Sequence, residues 1–238
     1  MMKIRQFLAV AAMAGIAFPA IAQSPSCVLP ASIPQAHEQK ASEPTTNART
    51  DYLALALSWS PQFCAEKGGA HAQDFQCRLN QFSFVVHGLW PQSANAKGAA
   101  GHPRWCGGGT VDAETARKTL CTVPGVSLMQ GEWQKHGSCY FESPAIYFTK
   151  LREINDKLVK PDARRLSAML GEKLTAGDLV AAFVDANRTA GLKPSSVAVQ
   201  VTKRAALREV LVCYDLSYRF TDCKTGRAPD SLRIRIAE

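Results

Sequence analysis

The chain has 238 residues, of which 46% are hydrophobic and 20% charged, and its formal net charge is +8 at pH 7. This length is sufficient for one domain with a sizeable core, so we predict a single domain. Beyond the N terminus no stretch is apolar for long enough to cross a bilayer, which excludes further membrane spans. The positive charge favours a polyanionic partner, although many exported proteins are basic and bind nothing anionic.

The N terminus has the pattern of an export signal. A basic start, Met1–Arg5, precedes an apolar run from Phe7 to Ile21, and alanines flank Ile21. We therefore predict a signal peptide over residues 1–22, with cleavage after Ala22. A membrane anchor is the alternative, but the run is short and contains a glycine and a proline. We expect the protein in the periplasm or outside the cell.

The segment that follows differs in composition from the rest of the chain. Residues 23–50 are rich in Ser, Pro, Ala and Gln and have no hydrophobic periodicity. We predict a loose N-terminal arm there, which a disulfide of Cys27 would pin. No internal repeat or second change in composition divides residues 51–238, which form the predicted domain.

Strand patterns come first in that domain, and helical patterns follow. Residues 52–59 are an apolar run that fits a buried strand, and residues 82–87 are rich in aromatic and β-branched residues. Ser143 before a proline, and Thr175 three residues before Asp178, are typical helix starts. The predicted helices span residues 112–120, 132–140, 143–158 and 166–173, with one more after residue 175.

Strand patterns return at the end of the chain, over residues 209–217, 218–223 and 232–236. Strands, then helices, then strands indicate an α+β fold and not a regular βαβ alternation. We predict a mainly antiparallel central sheet with flanking helices, held together by disulfides.

Eight cysteines lie beyond the predicted signal peptide. An even number behind an export signal indicates four disulfides in an oxidising compartment. Zinc binding is the rival interpretation, but it usually shows close Cys-x-x-Cys pairs, which this sequence lacks. The cysteines are Cys27, Cys64, Cys77, Cys106, Cys121, Cys139, Cys213 and Cys223.

Two segments contain the candidate catalytic residues. The first is Phe84–Pro91 (FVVHGLWP), in which His87 lies at the end of a predicted strand, where a rigid sheet can hold its imidazole. Trp90 in the same segment suits either stacking on a base or packing in the core.

The second segment is Gly131–Cys139 (GEWQKHGSC). In a helix, Glu132 and His136 are four residues apart and share a face, and Lys135 lies beside them. Taken alone, this segment fits an ordinary exposed Glu–His pair. The presence of a second histidine, His87, favours a catalytic site instead.

Two histidines can act together as general acid and general base, because imidazole titrates near neutral pH. RNA carries its own nucleophile, since a ribose 2′-OH lies beside each phosphodiester. One imidazole takes that proton while the other protonates the 5′-oxygen leaving group, giving a 2′,3′-cyclic phosphate and then a 3′-phosphate. Such a reaction needs no metal or other cofactor, and DNA should resist it. Lys135 would support the developing charge, and Glu132 would orient or polarise the site.

His87–Pro91 and Glu132–Cys139 resemble the two active-site segments of the ribonuclease T2 family. The resemblance is strong over about residues 52–142, looser beyond them, and absent from residues 23–50. It implies an exported, metal-independent endoribonuclease of α+β fold.

The family's site residues fall on matching positions of this sequence. The resemblance implies that His87 and His136 are the catalytic histidines, without settling which is the base in the first step. It also implies that Glu132 and Lys135 stabilise the transition state. Trp90 would belong to a base-binding pocket.

The sequence departs from the family pattern at two positions. Many members carry a phosphate-binding histidine directly before the glutamate, where this chain has Gly131. Phosphate affinity is then weaker, or another cation substitutes, and Arg104 is our candidate for a phosphate contact. Many eukaryotic members have an acidic residue for base selection soon after the Trp-Pro, where this chain has Gln92. Gln92 is therefore a candidate substrate contact, and the base preference stays open.

The resemblance also suggests two disulfides, Cys106–Cys139 and Cys213–Cys223. The other four cysteines would pair as Cys64–Cys77 and Cys27–Cys121, although the sequence alone leaves their pairing open.

Three further histidines, His37, His71 and His102, are predicted to be solvent-exposed. Two other classes of protein are alternatives. One is a catalytically silent RNA-binding or cell-surface interaction protein, which has no need of two histidines with a lysine and a glutamate. The other is a metal-dependent phosphodiesterase, which would need clustered Asp and His ligands that we do not find. We expect a monomer whose partner is single-stranded RNA, with no DNA, membrane or cofactor.

Overall fold

The structure, a computed structural model, describes residues 27–67, 75–224 and 226–238. The predicted signal peptide over residues 1–22 and His71 lie outside these residues. Within them, the strands are β1 (Tyr52–Trp59), β2 (Phe84–Gln92), β3 (Val197–Val201) and β4 (Leu207–Tyr214). The α-helices there are α1 (Ser60–Lys67), α2 (Ala113–Thr119), α3 (Val126–Lys135), α4 (Pro144–Lys157), α5 (Ala163–Leu170) and α6 (Ala176–Ala186).

The four strands form one antiparallel sheet in the order β2-β1-β4-β3, which confirms the predicted α+β class. Side chains alternate between the two faces of β1. Leu53, Leu55, Leu57 and Trp59 are fully buried in the main core, which also takes in the buried faces of the helices. The opposite face of β1 carries Tyr52 at its start and then small side chains, such as Ala56, and there the sheet forms the floor of the candidate site.

His87 lies within β2 and not at a strand end, which corrects the sequence prediction. The pairing register of β1 with β2 shifts at this point: Leu57 pairs with Val86 and Ala56 with Gly88, so His87 is an extra, bulged residue. The strand continues through Pro91 because β2 is at the edge of the sheet, where a missing N–H is tolerated.

The helix predicted over residues 132–140 was misplaced at both ends. It begins at Val126 and ends at Lys135, and residues 137–139 form a 3₁₀ turn. His136 is the C-cap, with φ −124° and ψ −56°. Gly137 follows it and packs so closely that a Cβ would lie 2.8 Å from the Trp133 ring. Glycine is unfavourable within helices, and here its small size permits the turn and the contact.

The predicted strands over residues 218–223 and 232–236 are wrong. These segments make only isolated bridges, Tyr214 with Phe220, Thr175 with Arg233 and Ala206 with Arg235. Both edges of β4 are already occupied, because β1 pairs with it on one side and β3 on the other. The sequence analysis missed β3, which supplies the fourth strand.

Several helix starts follow the predicted capping chemistry. The Asp112 side chain accepts from the backbone N–H of Thr115, and Ser143 caps α4 in the same way. Thr175 and Asp178 form a reciprocal capping box at the start of α6. Within the described parts of the chain, no helix is long and apolar enough to span a membrane.

Four disulfides tie loops and chain ends to this framework, in the pairs suggested by the sequence and the family resemblance. Cys106–Cys139 joins the loop after β2 to the turn after α3, and Cys213–Cys223 joins β4 to the segment after it. The others are Cys64–Cys77 and Cys27–Cys121.

The arm contains no helix or strand over residues 27–50, yet it makes defined contacts. Cys27 is joined to Cys121, and the Gln39 N–H donates to the side chain of Gln134 on α3. Further on, Thr46 bridges to Arg104. The arm therefore runs along α3 towards the end that carries Lys135.

Candidate active site

One cavity of about 660 Å³ lies where β2, the end of α3 and the arm meet, and we call it the site cavity. It brings together every residue that the sequence singled out as a candidate for catalysis or substrate contact. Its lining includes Glu43, His87, Trp90, Gln92, His102, Arg104, Glu132, Lys135, His136, Gln200 and Leu211.

His87 is held between two carboxylates. Its Nδ1 lies 2.8 Å from Oε1 of Glu209, and its Nε2 lies 3.3 Å from Oε1 of Glu132. Burial alone would lower the pKa of His87, but the two carboxylates outweigh it and raise the pKa to about 10. Both ring nitrogens face acceptors, so the ring is a doubly protonated imidazolium at neutral pH.

Glu132 connects several parts of the site from its buried position on α3. Its Oε2 accepts a hydrogen bond of 2.7 Å from the Trp90 indole N–H. Burial would raise the pKa of Glu132, but the neighbouring His87 cation outweighs it and holds the pKa below the usual value. Gly88 makes room for this carboxylate, because a Cβ at that residue would clash with Oε2.

His136 has a different environment. The residue is 8% exposed, and its Nδ1 has no hydrogen-bond partner among the described residues. Burial lowers the pKa of His136 to about 4, and the charge of Lys135 acts in the same direction while Glu132 opposes it. The ring is therefore neutral at neutral pH. Trp90 lies beside both histidines, with ring centroids 5.2 Å from His87 and 5.3 Å from His136.

Lys135 and Arg104 share one carboxylate from the arm. The Lys135 ammonium donates to Oε1 of Glu43 at 2.9 Å, and the Arg104 guanidinium donates to Oε2 of the same residue. Arg104 also donates to the carbonyl of Ala99. These two cations lower the pKa of Glu43, with Lys135 contributing most. An anion therefore already lies at the cationic side of the cavity.

The remaining predicted contacts differ in accessibility. Trp90 is half-buried, whereas Gln92 is 7% exposed and donates its amide to the carbonyl of Pro91. His37 is exposed as predicted, but His102 is not. His102 is 6% exposed, its Nδ1 accepts from the Ser93 N–H, and burial lowers its pKa. The loop folds back onto β2, which the sequence pattern did not reveal.

The sequence analysis missed two carboxylates at the site, Glu43 and Glu209. Glu209 is the one acidic residue in the apolar run of β4, EVLVCY, and a charge in a buried strand was the available signal. Nothing in the composition of the arm singled out Glu43.

Chemically, the cavity combines a protonated imidazole, a neutral imidazole, a tryptophan face and two cations. This arrangement suits proton transfer on an anionic, aromatic-bearing substrate. Over the described residues, no three His, Cys, Asp or Glu side chains are grouped so as to hold a metal ion.

The fold and the site together define a disulfide-linked α+β protein with a paired-histidine centre. The model of the ribonuclease T2 family matches residues 50–223, so this chain belongs to the ribonuclease T2 family.

Known proteins similar to this chain agree with that membership. A "Probable ribonuclease" of Haemophilus influenzae is 37% identical over 187 residues, which cover 75% of this chain and 62% of that protein. The match thus spans less than two thirds of that relative's length.

Two solved structures share the fold. Trichomaglin, described as an S-like ribonuclease, aligns with a TM-score of 0.61 at 20% identity and covers 78% of this chain and 98% of its own. RNase NT in complex with 5′-AMP aligns with a TM-score of 0.58 at 17% identity and covers 79% and 98%.

Proposed function

We propose that this protein is an endoribonuclease that cleaves single-stranded RNA by attack of the ribose 2′-OH on the neighbouring phosphodiester. The products are a 2′,3′-cyclic phosphate, then a 3′-phosphate, and a 5′-hydroxyl on the leaving strand. The observation that carries the proposal is the pair of histidines in one cavity, with the pKa of His87 raised to about 10 and that of His136 lowered to about 4.

The opposite protonation states divide the roles. His136 is neutral at neutral pH, so it acts as the general base that takes the 2′-OH proton. His87 is an imidazolium, so it acts as the general acid that protonates the departing 5′-oxygen. In the second step the roles reverse, since His87 activates water and His136 returns a proton to the 2′-oxygen. Protons balance over the cycle, and no metal or cofactor enters it.

The developing negative charge on the phosphoryl oxygens needs cations nearby. Lys135 supplies one at the cavity wall, and Arg104 supplies a second once substrate phosphate displaces Glu43. Glu132 keeps His87 protonated and stabilises the site when that proton is shared with the leaving oxygen.

Trp90 and Gln92 would contact the base. The half-buried indole of Trp90 offers a face for stacking, which is a sequence-tolerant way to hold single-stranded RNA. The nucleotide in the RNase NT structure is consistent with a base site in this fold. DNA would bind weakly and resist cleavage because it has no 2′-OH.

We also propose that residues 1–22 are a signal peptide and that residues 51–238 form the catalytic domain, acting as a monomer in the periplasm or outside the cell. Four disulfides support an oxidising compartment.

The decisive experiment incubates the purified protein with a single-stranded RNA in excess EDTA and analyses the end groups. Cyclic-phosphate ends that appear first and 3′-phosphate ends that accumulate later support the mechanism. The same sequence as DNA, or an RNA with one 2′-deoxy residue at the cut position, should resist. Binding of RNA without cleavage would support the silent interaction protein, and loss of cleavage in EDTA would support a metal-dependent enzyme.

A further inference from the structure

Glu209 is a buried carboxylate near the middle of the sheet. It is 4% exposed and lies on β4, which pairs with β1 on one side and β3 on the other. Burying a carboxylate is costly unless it is hydrogen-bonded or paired with a cation. Its Oε1 has two recorded partners, His87 Nδ1 at 2.8 Å and the Ser58 hydroxyl at 3.1 Å.

The strand register explains why Glu209 reaches the site. Val210 and Val212 point into the main core, so Glu209 and Leu211 lie on the other face of β4, towards the site cavity. On that face Ser58 of β1 and Gln200 of β3 are its direct cross-strand partners. A row of polar side chains thus crosses three strands.

Val85 of β2 pairs with Ser58 at the end of this row, and the bulge at His87 lies two residues further along β2. Without the bulge, Val86, His87 and Gly88 would each pair with one residue of β1, and their side chains would alternate regularly between the two faces of the sheet. Because His87 is an extra residue on β2, this alternation is broken and the imidazole points in a different direction. The ring edge that carries Nδ1 meets Glu209, and the opposite edge, with Nε2, faces Glu132.

We propose that Glu209 is a positioning residue for His87: it accepts the Nδ1–H, fixes the plane of the ring, and so keeps the Nε2 proton directed at the leaving oxygen. This inference rests on the proposed function and adds a residue to it. Glu209 does not touch substrate. It acts through the histidine, as a carboxylate does in a carboxylate–histidine pair.

The alternative is a structural ion pair that only stabilises the sheet. The two roles predict different measurements, because a positioning residue also sets the protonation of the ring. The titratable groups that face His87 are Glu132 from α3, Glu209 from β4 and His136 beyond the end of α3. Ser58 and Gln200 are neutral, so replacing Glu209 with an uncharged residue removes one of the two negative charges that face the His87 cation.

The test compares Glu209→Gln with the unaltered protein. Glutamine keeps the shape and an acceptor oxygen but loses the charge. We expect kcat to fall about 10- to 100-fold, less than removal of the acid itself would cost, with KM nearly unchanged. The alkaline limb of the kcat/KM profile should move to lower pH, because His87 then loses its proton more easily.

An NMR titration measures the same effect without any catalysis. The His87 ring signals, assigned by their loss in His87→Ala, should titrate at a lower pH in Glu209→Gln than in the wild type. Glu114→Gln is the matched control, since it removes an exposed carboxylate on α2 and should change neither readout. Ser58→Ala, which removes a hydroxyl that donates to Glu209 and leaves more of its negative charge facing His87, should shift the His87 titration by a smaller amount in the opposite direction, to higher pH.

A His87 titration and an alkaline limb that stay at their wild-type pH in Glu209→Gln overturn the inference, even if the variant unfolds more easily. Should Glu209→Gln fail to fold, the same result in Ser58→Ala overturns it. Absence of RNA cleavage by the wild type would refute the proposed function alone, because the NMR titration still tests whether Glu209 controls His87.

Discussion

The site has two halves, one around His87 and one around His136, which differ in secondary structure and in the charged groups beside the imidazole. His87 lies on a strand, at a bulge, with a carboxylate at each ring nitrogen. His136 lies just beyond a helix, in a buried position, with a lysine as its chain neighbour and no partner on Nδ1 in the described structure. The same residue type is therefore charged in one half and neutral in the other, and the proposed division into acid and base follows from this difference in environment.

The mechanical support of the two halves differs as well. The position of His87 is fixed by backbone pairing within the sheet and by Glu209. That of His136 depends on the end of α3, where the Lys135 carbonyl accepts from the Trp105 N–H and Cys106–Cys139 closes the next turn. Sheet geometry thus fixes one imidazole, and covalent and loop contacts fix the other.

The largest expected effect comes from removing either ring. His87→Ala and His136→Ala should each reduce the RNA-cleavage rate by about 10²–10⁴-fold. In the wild type, kcat/KM should rise as His136 loses its proton near its pKa of about 4 and fall as His87 loses its proton near its pKa of about 10. His136→Ala should abolish the acidic limb and His87→Ala the alkaline limb.

The residual activity of the two variants allows these limbs to be measured. His37→Ala is the matched control, because His37 is exposed in the arm. Exchange of the two limbs between the variants would reverse the assigned roles. Undiminished cleavage by either variant would remove that histidine from the mechanism.

Local sequence patterns predicted much of this arrangement. Glu132, Lys135 and His136 are neighbours in the chain, so a helix or its end brings them together whatever the rest of the fold does. The apolar run of β1 and the capping residues of α4 and α6 are equally local, and the structure has those elements where they were predicted.

The rest depends on contacts that no local pattern encodes. Glu209 meets His87 across 122 positions of sequence, and Glu43 meets Lys135 across 92. The strand boundary at His87 was wrong for a related reason, since a bulge exists only relative to the partner strand β1. The two halves of the site are therefore defined locally, while their electrostatic environment is a product of the tertiary fold.

Glu132→Gln tests the residue that links the halves. Its carboxylate approaches His87 and accepts from Trp90, and its charge also raises the pKa of His136 against the effect of burial. We expect a loss of about 10²-fold in kcat/KM, comparable to removal of other preorganised electrostatic groups. Both limbs of the pH profile should move to lower pH, because both imidazoles lose a stabilising anion.

The direction of the two limbs separates Glu132 from Glu209. Glu209→Gln should move only the alkaline limb, since Glu209 contacts His87 and is not among the groups that shift His136. If Glu132→Gln moved only one limb, Glu132 would influence only one of the two histidines and would not link the two halves of the site.

Removing one disulfide at a time compares how the two halves of the site are held in place. Cys106–Cys139 closes 33 residues beside His136, and Cys213–Cys223 closes 10 residues at the end of β4. Replacing both cysteines of a pair with serine should lower the free energy of unfolding by about 2–4 kcal/mol, and by about 1 kcal/mol more for the longer loop. Urea unfolding measures this difference.

Activity adds a second comparison between these disulfide variants. At a temperature where both are folded, loss of Cys106–Cys139 should reduce kcat more, because it frees the turn next to His136. Equal losses of kcat would show that the end of α3 holds His136 without this covalent link.

The smallest expected effect concerns the arm, whose Glu43 adds a negative charge on the His136 side of the cavity. This carboxylate pairs with Lys135 and Arg104, so substrate phosphate must displace it before both cations can act. Glu43→Gln should therefore lower KM for RNA by about two- to fivefold, as expected for a partly exposed ion pair, with little change in kcat. Glu38→Gln is the matched control, because Glu38 lies in the same arm but accepts from the Gly109 N–H and not from a site cation.

The pH dependence of this effect follows from the lowered pKa of Glu43, which keeps the carboxylate charged down to acid pH. Wild type and Glu43→Gln should differ at neutral pH and converge as the pH falls through that pKa, since protonation removes the same charge. High salt should also reduce the difference, because it screens the ion pair. A lower kcat with unchanged KM would instead mean that Glu43 holds Lys135 in place for catalysis, and the arm would then support the His136 half as Glu209 supports the His87 half.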